Sequence, residues 1–162
     1  MSNQIIGPLL AGKLDSTDIA QGRGFSLGDR TEDAVGNEYV FVQAASACTA
    51  FDTVHISSTF QANPITAALA VTAGYLGFET PTALSTGDYA WVKTRGNMTV
   101  RLAQSCLPAV PLYTTDTAGV LDDATASASH HQVMGVLGVS SANNASSYPA
   151  VGTFPMIRRP AA

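Results

Sequence analysis

The first residue with the chemistry of a nucleophile is Ser26, in the pattern Gly24-Phe-Ser-Leu-Gly28. Serine hydrolases carry their nucleophile in such a Gly-x-Ser-x-Gly turn, between a buried strand and a helix, with an acid and then a histidine further along the chain. Residues 21–23 (Gln-Gly-Arg) are not a buried strand, and residues 29–36 lack the apolar face of a helix. We therefore expect no catalysis at Ser26, and a small hydrolase ranks last among the three functions considered below.

The histidines and the acidic residues do not form a recognisable metal or acid–base site either. His130 and His131 are adjacent, and neighbouring residues of a strand point to opposite faces, so the two rings do not easily bind one ion. His55 stands apart from both. Asp15 and Asp18 have no partner for proton transfer, which favours a capping or loop role. The chain is thus expected not to be an enzyme, with no catalytic, cofactor-binding or metal-binding residue.

The spacing of glycines and cysteines argues against two further kinds of site. Gly22, Gly24 and Gly28 do not have the spacing of a dinucleotide or phosphate loop, and no strand–helix–strand unit surrounds them. Cys48 and Cys106 are far apart, and neither lies in a Cys-x-x-Cys pair, which argues against a zinc site and against a disulfide-rich secreted scaffold. Both cysteines are therefore predicted to be small buried apolar residues.

The composition narrows the choice of partner. Charged residues make up 12% of the 162 residues, and mean hydropathy is +0.15, whereas ordinary soluble domains carry about 25% charged residues. Few charges suit a surface that other protein covers, and the alternative is a monomer coated with serine and threonine. A net charge of −4 with scattered Arg and Lys argues against nucleic acid as a partner. With no signal peptide and no apolar run near the ~20 residues of a membrane span, we expect synthesis in the cytoplasm and no membrane partner.

The elements that would position any site are predicted to be strands. Residues 87–103 contain two alternating runs on either side of Gly96, which predicts a β-hairpin with its turn at residues 94–97. In the first run, Tyr89, Trp91 and Lys93 share one face and Ala90 and Val92 the other; in the second, Met98, Val100 and Leu102 face the interior and Asn97, Thr99 and Arg101 lie opposite. Residues 39–44 are apolar on both faces, as in a strand covered on both sides.

Further short strands are predicted at residues 25–29, 52–58, 60–66, 74–79, 133–139 and 151–157. Pro64 predicts an edge position for its strand, and the two glycines in residues 133–139 allow a bulge or a close backbone approach there. Many short strands without a long helix predict an all-β fold, a compact sandwich or barrel of short, mainly antiparallel strands. Residues 23–162 are predicted to form this single domain.

Residues 1–22 differ from the rest of the chain. Apolar residues surround a Gly-Pro dipeptide without a clear period, and a polar stretch follows, which predicts an extended N-terminal arm that lies on another protein surface. The alternative is a disordered start. The candidate contact residues of this arm, with the capsid or with another subunit, are Ile5, Ile6, Leu9 and Leu10.

Three segments occur in order along the chain: residues 38–44 (EYVFVQA), 87–96 (GDYAWVKTRG) and 111–121 (PLYTTDTAGVL). Together they resemble small capsid decoration (cement) proteins of tailed bacteriophages, in which an aromatic strand ending in Gln-Ala precedes a Gly-Asp-Tyr-x-Trp-Val strand and a Leu-Tyr-Thr-Thr-x-Thr-Ala-Gly-x-Leu segment. The resemblance covers about residues 24–140. It implies a non-enzymatic structural virion protein on the outer capsid surface, often trimeric, that stabilises the capsid by bridging subunits of the major capsid protein.

The expected partners are therefore the major capsid protein and further copies of the chain in a homotrimer. The trimer is also expected because residues 39–42, apolar on both faces, need a second cover. The alternative function is a β-sandwich head-fibre or carbohydrate-binding module that recognises a host surface. Exposed aromatic residues such as Tyr75, Trp91 or Tyr148 would then stack on sugars.

Overall fold

The computed structural model describes residues 12–20, 25–78, 82–124 and 129–158. Its elements are β1 (Lys13–Leu14), α1 (Ser16–Ala20), β2 (Arg30–Glu32), β3 (Glu38–Ala44), β4 (Val54–Ile56), β5 (Gln61–Pro64), a 3-10 turn (Leu69–Val71), β6 (Tyr75–Gly77), β7 (Tyr89–Leu102), β8 (Leu112–Thr114), β9 (Val120–Asp122), β10 (Gln132–Gly138) and β11 (Ser146–Arg158). The predicted all-β class is confirmed. The predicted contact residues Ile5, Ile6, Leu9 and Leu10 lie outside the described residues.

All the described strands belong to one sheet, in the order β11-β10-β8-β9-β7-β3-β5-β4-β6, with β1 added to β7 and β2 to β3. Because β11 pairs with β7 as well as with β10, the strands β7, β9, β8, β10 and β11 close into what we call the ring. Strands β3, β5, β4 and β6 curl from the other half of β7 and form the lobe. Phe78, just after β6, exchanges two backbone hydrogen bonds with Lys93 of β7, at 2.8 and 2.9 Å. The pairs β3–β5 and β7–β9 are parallel, and the other named pairs are antiparallel.

Strand β7 is continuous, so the predicted hairpin in residues 87–103 is wrong. Gly96 does adopt a positive φ of +108°, but the reason is close approach rather than a turn: a Cβ there would collide with the side chain of Asn37. The Asn37 side chain accepts the backbone N–H of Asn97 at 2.9 Å. The register of β3 against β7 also shifts between Glu38 and Tyr39. The irregularity lies where β7 leaves β3 and begins to pair with β11, and a bulge of this kind is expected to bend the strand.

The faces of β7 are as the alternation predicts. Ala90 and Val92 point into the core of the lobe, and Trp91 lies on the opposite face. Met98, Val100 and Leu102 are buried in the core of the ring. Burying one such side chain is worth about 1.5–3 kcal/mol, so the long strand stabilises both halves of the molecule at once.

The chain itself covers the outer face of β3. Leu14 of β1 packs there with Tyr39 and Phe41, and the Phe25 ring lies 5.4 Å from that of Phe41 and 5.0 Å from that of Trp91. Strand β3 is therefore buried on both sides within one subunit. Residues 39–42 therefore need no second subunit to cover them. The homotrimer stays a prediction, but this argument no longer supports it.

Residues 12–20, part of the predicted arm, are attached to the body. Strand β1 pairs with Tyr89 and Ala90 of β7, and Lys13 Nζ lies 2.6 Å from Asp88 Oδ2. Asp15 caps α1, because its Oδ1 accepts the backbone N–H groups of Thr17 at 2.8 Å and Asp18 at 2.9 Å. The predicted capping role of this acidic pair is thus confirmed for Asp15.

Two strand predictions are wrong. Residues 25–29 form a turn, in which Asp29 N–H donates to Ser26 C=O at 3.0 Å and Gly28 has a φ of +89°. Strand β5 is not at an edge but lies between β3 and β4. Pro64 is tolerated there because it extends past the last β3–β5 pair, Ala44 with Ala62, where no hydrogen bond to β3 is lost.

Candidate binding surface

Ser26 does not lie in a nucleophile elbow. Its turn is followed by β2 and not by a helix. The Asp29 carboxylate accepts the backbone N–H of Ser26 at 2.8 Å, so this acid holds the turn. A hydrolase nucleophile needs the strand–turn–helix geometry that exposes its Oγ beside backbone donors. The described residues around Ser26 do not provide it.

The three histidines occupy separate environments. His55 is buried in the lobe, with Nε2 3.0 Å from Thr72 Oγ1, and burial lowers the pKa of its ring. The side chain of His130 is buried, and its Nε2 lies 3.5 Å from Asp116 Oδ1. The His131 backbone N–H donates to Thr114 Oγ1 at 3.0 Å. Both ring nitrogens of His130 and the Nδ1 atom of His131 are buried without a hydrogen-bond partner among the described residues. The group of metal-ligand side chains found in the described part of the chain contains no histidine.

The structure brings together one group of potential metal ligands that the sequence did not predict. Cys106, Asp122 and Asp123 each place one ligand atom within 4.8 Å of the others. Burial, followed by the charge of Asp123, raises the pKa of the Cys106 thiol to about 11. Burial also raises the pKa of Asp122, with a further rise from its hydrogen bond to Asp123. A metal needs deprotonated ligands, whereas burial here favours the neutral forms of Cys106 and Asp122. No spacing motif connects these residues, so the sequence offered no signal.

The most distinctive surface is an apolar patch on the last two strands. Six of the eleven exposed large apolar side chains in the described part of the chain lie on or just after β10 and β11, and we call this surface the β10–β11 face. Met134 is directly opposite Met156, and Leu137 is opposite Val151, so these side chains are neighbours on one face. Scattered exposed apolar residues are normal, but a contiguous patch marks an interaction site. The six members are Met134, Leu137, Val139, Val151, Phe154 and Met156.

A double irregularity in the strand pair shapes this face. The register of β10 against β11 shifts between Met134 and Val136, around Gly135 with a φ of +79°. On the opposite strand Phe154 has a φ of +47°. The distortion turns Phe154 outward, where its ring lies 5.8 Å from the Arg95 guanidinium. Bulges often redirect a side chain beside a functional site. The glycines of this strand were expected to allow a bulge or a close backbone approach, and at Gly135 the structure has both.

Two concavities border the β10–β11 face. A shallow groove of about 470 Å³ lies along β10, beside Ala109 and Pro111. A cleft of about 320 Å³ opens between the lobe and the distorted part of β11. Its floor is apolar, with Val40, Ile56 and Leu76, and its rim is formed by Arg30, Phe60, Tyr75, Phe154 and Met156. We call it the rim cleft.

Of the three aromatic residues predicted to stack on a sugar, one is accessible. Trp91 is 2% exposed, inside the packing between β1 and β3. Tyr148 is half-buried, and its hydroxyl donates to Asn144 Oδ1 at 2.7 Å. Tyr75 is 54% exposed at the rim cleft, and its ring stacks on Phe60 with centroids 6.5 Å apart. The sequence did not predict the β10–β11 face, because alternation alone does not say which side of a strand meets solvent.

Among the described residues, no helix has the length and apolar character needed to cross a membrane. No protein-family model matches the chain, and no curated protein matches it significantly. What the geometry of the described residues offers is a group of exposed apolar side chains on one strand pair, bordered by two concavities.

Proposed function

We propose that this chain is a structural virion protein that decorates a phage capsid and stabilises it by bridging major capsid protein subunits. The observation that carries the proposal is the β10–β11 face, a contiguous apolar surface on a chain with only 12% charged residues. The resemblance of residues 24–140 to capsid decoration proteins supports the same function. On this proposal the protein resides on the outer surface of the virion and has no enzymatic activity.

The energetics of the face favour attachment at several points. Burying a fully exposed Met, Leu or Phe side chain is worth about 1.5–3 kcal/mol. The six side chains of the β10–β11 face are already about half buried, so covering them yields on the order of 5–9 kcal/mol. Association costs an estimated 4–15 kcal/mol in lost freedom. One face therefore holds one subunit only weakly. A homotrimer that presents three such faces gains avidity without any new contact.

Capsid co-sedimentation tests the proposal. Undecorated, expanded capsids of the parent phage are mixed with the wild type, with a Met134→Lys/Met156→Lys variant, and with a Val35→Lys/Val71→Lys control that adds the same charge at exposed apolar sites away from the face. The wild type and the control should sediment with capsids, and the face variant should stay in the supernatant with an unchanged circular dichroism spectrum. A wild type that does not bind refutes the function. Equal binding by the face variant refutes the assigned surface.

The second candidate function is a carbohydrate-binding head-fibre module. Tyr75 favours it, because an exposed aromatic ring already stacked on Phe60 is a platform for a sugar. The burial of Trp91 removes one of the three aromatic residues that this hypothesis expected to stack on a sugar. A glycan array decides between the two functions. A clear hit that Tyr75→Ser abolishes, together with no capsid binding, would favour the carbohydrate-binding module.

A further inference from the structure

We propose that the rim cleft binds one apolar side chain of a partner protein segment, with carboxylates beside that side chain contacting Arg30. The inference rests on the proposed function for the identity of the partner, the major capsid protein. The cleft shares Phe154 and Met156 with the β10–β11 face and adds to that apolar surface a charged contact at Arg30. It also predicts the kind of sequence that the partner presents.

The shape of the cleft fits a side chain. Its volume of about 320 Å³ is at the lower end of the roughly 300–1,000 Å³ of ligand pockets. The floor residues Val40, Ile56 and Leu76 are buried core side chains that offer no hydrogen-bonding group. Thr94 also lines the cleft, but its hydroxyl already donates to the Glu38 carbonyl at 3.3 Å. The interior therefore favours an aliphatic or aromatic group over a polar one.

The charge at the rim selects acidic neighbours. The Arg30 residue is exposed, and its guanidinium makes no hydrogen bond or ion pair with the residues that the structure describes. Arg95, nearby on β7, is different, because it pairs with Glu38 at 2.7 Å. An unpaired guanidinium beside an apolar cleft presents several donors in a planar fork, which matches a carboxylate. A segment with Asp or Glu next to an apolar residue satisfies both features.

The walls of the cleft are fixed before binding. Phe60 and Phe154 both have positive φ, +58° and +47°. This region costs a non-glycine residue about 1–2 kcal/mol, and it persists only where the surroundings impose it. Phe60 N–H donates to Ser57 C=O at 2.9 Å, and its ring lies against Gly28, where a Cβ would collide with it. A preformed wall lowers the entropy cost of binding a partner side chain.

Peptide titration tests the chemistry without a capsid. The probes are the blocked peptides Gly-Asp-Phe-Asp-Gly, Gly-Asn-Phe-Asn-Gly and Gly-Asp-Ala-Asp-Gly, followed through the amide signals of Gly74, Tyr75 and Thr94 by NMR. We expect the first to bind, the second to bind about fivefold more weakly, as for loss of an exposed ion pair, and the third not to shift these signals. Arg30→Glu should weaken the first peptide at least fivefold, whereas Arg158→Glu, the same charge change outside the cleft lining, should not.

The outcomes separate this inference from the proposed function. Equal binding of the Asp and Asn peptides, or no shift with any peptide, overturns the inference. If 3-phenylpropionate binds more tightly than the peptides, the cleft serves a small carboxylate and the docking proposal is wrong. Wild-type capsid binding that Arg30→Glu leaves unchanged overturns the cleft contact and leaves the decoration function standing. Peptide binding by a protein that does not bind capsids overturns the decoration function and leaves the chemistry of the cleft standing.

Discussion

Replacing Arg101 by Met removes one of the two groups that hold a buried carboxylate. Asp52 is 2% exposed, and its Oδ1 lies 2.6 Å from Arg101 Nη1. Its Oδ2 accepts the Thr49 backbone N–H at 2.7 Å. Methionine keeps the unbranched stem of arginine, so packing changes little while the guanidinium is lost. The pair connects β7 of the ring with the segment that precedes β4 of the lobe.

The expected loss follows from these contacts. A hydrogen bond to a charged group contributes about 1.5–3 kcal/mol, and the Arg101 side chain is only 28% exposed, so solvent replaces it poorly. We expect the free energy of unfolding to fall by about 2 kcal/mol. For a chain of this length that corresponds to a Tm lower by about 4–8 °C. The matched control is Arg95→Met, which breaks an exposed pair with Glu38 and should cost less than about 1 kcal/mol.

The pH dependence sharpens this prediction. Burial raises the pKa of Asp52 above its ordinary value of 3.8, and the hydrogen bond from Arg101 opposes that rise. Removing Arg101 therefore raises the folded-state pKa further. A group whose folded pKa is raised favours folding below the unfolded pKa, and this contribution is lost as pH rises through the folded pKa. The deficit of Arg101→Met relative to wild type should be largest at neutral pH and shrink as pH falls towards 3.8.

Urea unfolding at several pH values measures these differences. An Asp52→Asn/Arg101→Met double variant should recover part of the loss, because the buried charge is removed along with its partner. If Arg101→Met is no less stable than Arg95→Met at neutral pH, the carboxylate does not depend on Arg101. A deficit that grows on acidification would show that the sign of the linkage is wrong.

Three further predictions test other parts of the structure. Val100→Asp puts a charge in the ring core, where Val100 is 0% exposed, and should abolish soluble expression. Thr99→Asp, on the other face of β7, should be mild. Native-like circular dichroism of the Val100→Asp variant would contradict the placement of Val100 in the core of the ring. Burial raises the pKa of Cys48 to about 12 and of Cys106 to about 11, so iodoacetamide should label these thiols far more slowly in native than in urea-unfolded protein. Burial lowers the pKa of His55 below 6.5, so stability is lost as pH falls through 6.5; His55→Gln should reduce that loss, and an unchanged pH profile of Tm would exclude His55 as its source.

Local patterns predicted the class of the fold and much of its strand content. Period-two alternation gave the correct faces of β7, because successive side chains of a strand leave opposite sides whatever the strand pairs with. The glycines of residues 133–139 indicated a bulge or a close backbone approach for a similarly local reason, since glycine adopts a φ such as the +79° of Gly135 without strain. Two lone cysteines without a ligand motif were correctly predicted to be buried. These features depend on nearest neighbours along the chain.

The tertiary structure decided what lies across each strand. Gly96 has the positive φ of a turn residue, but β7 continues through it. The space that a Cβ would need there is occupied by Asn37, which comes from a distant part of the chain and accepts the backbone N–H of Asn97. Leu14 and Phe25 cover the outer face of β3, which the sequence assigned to a second subunit. On β10 and β11 the apolar side chains have no such cover among the described residues and remain exposed. Long-range packing determines whether an apolar face becomes core or contact surface, and a pattern of neighbours cannot encode that choice.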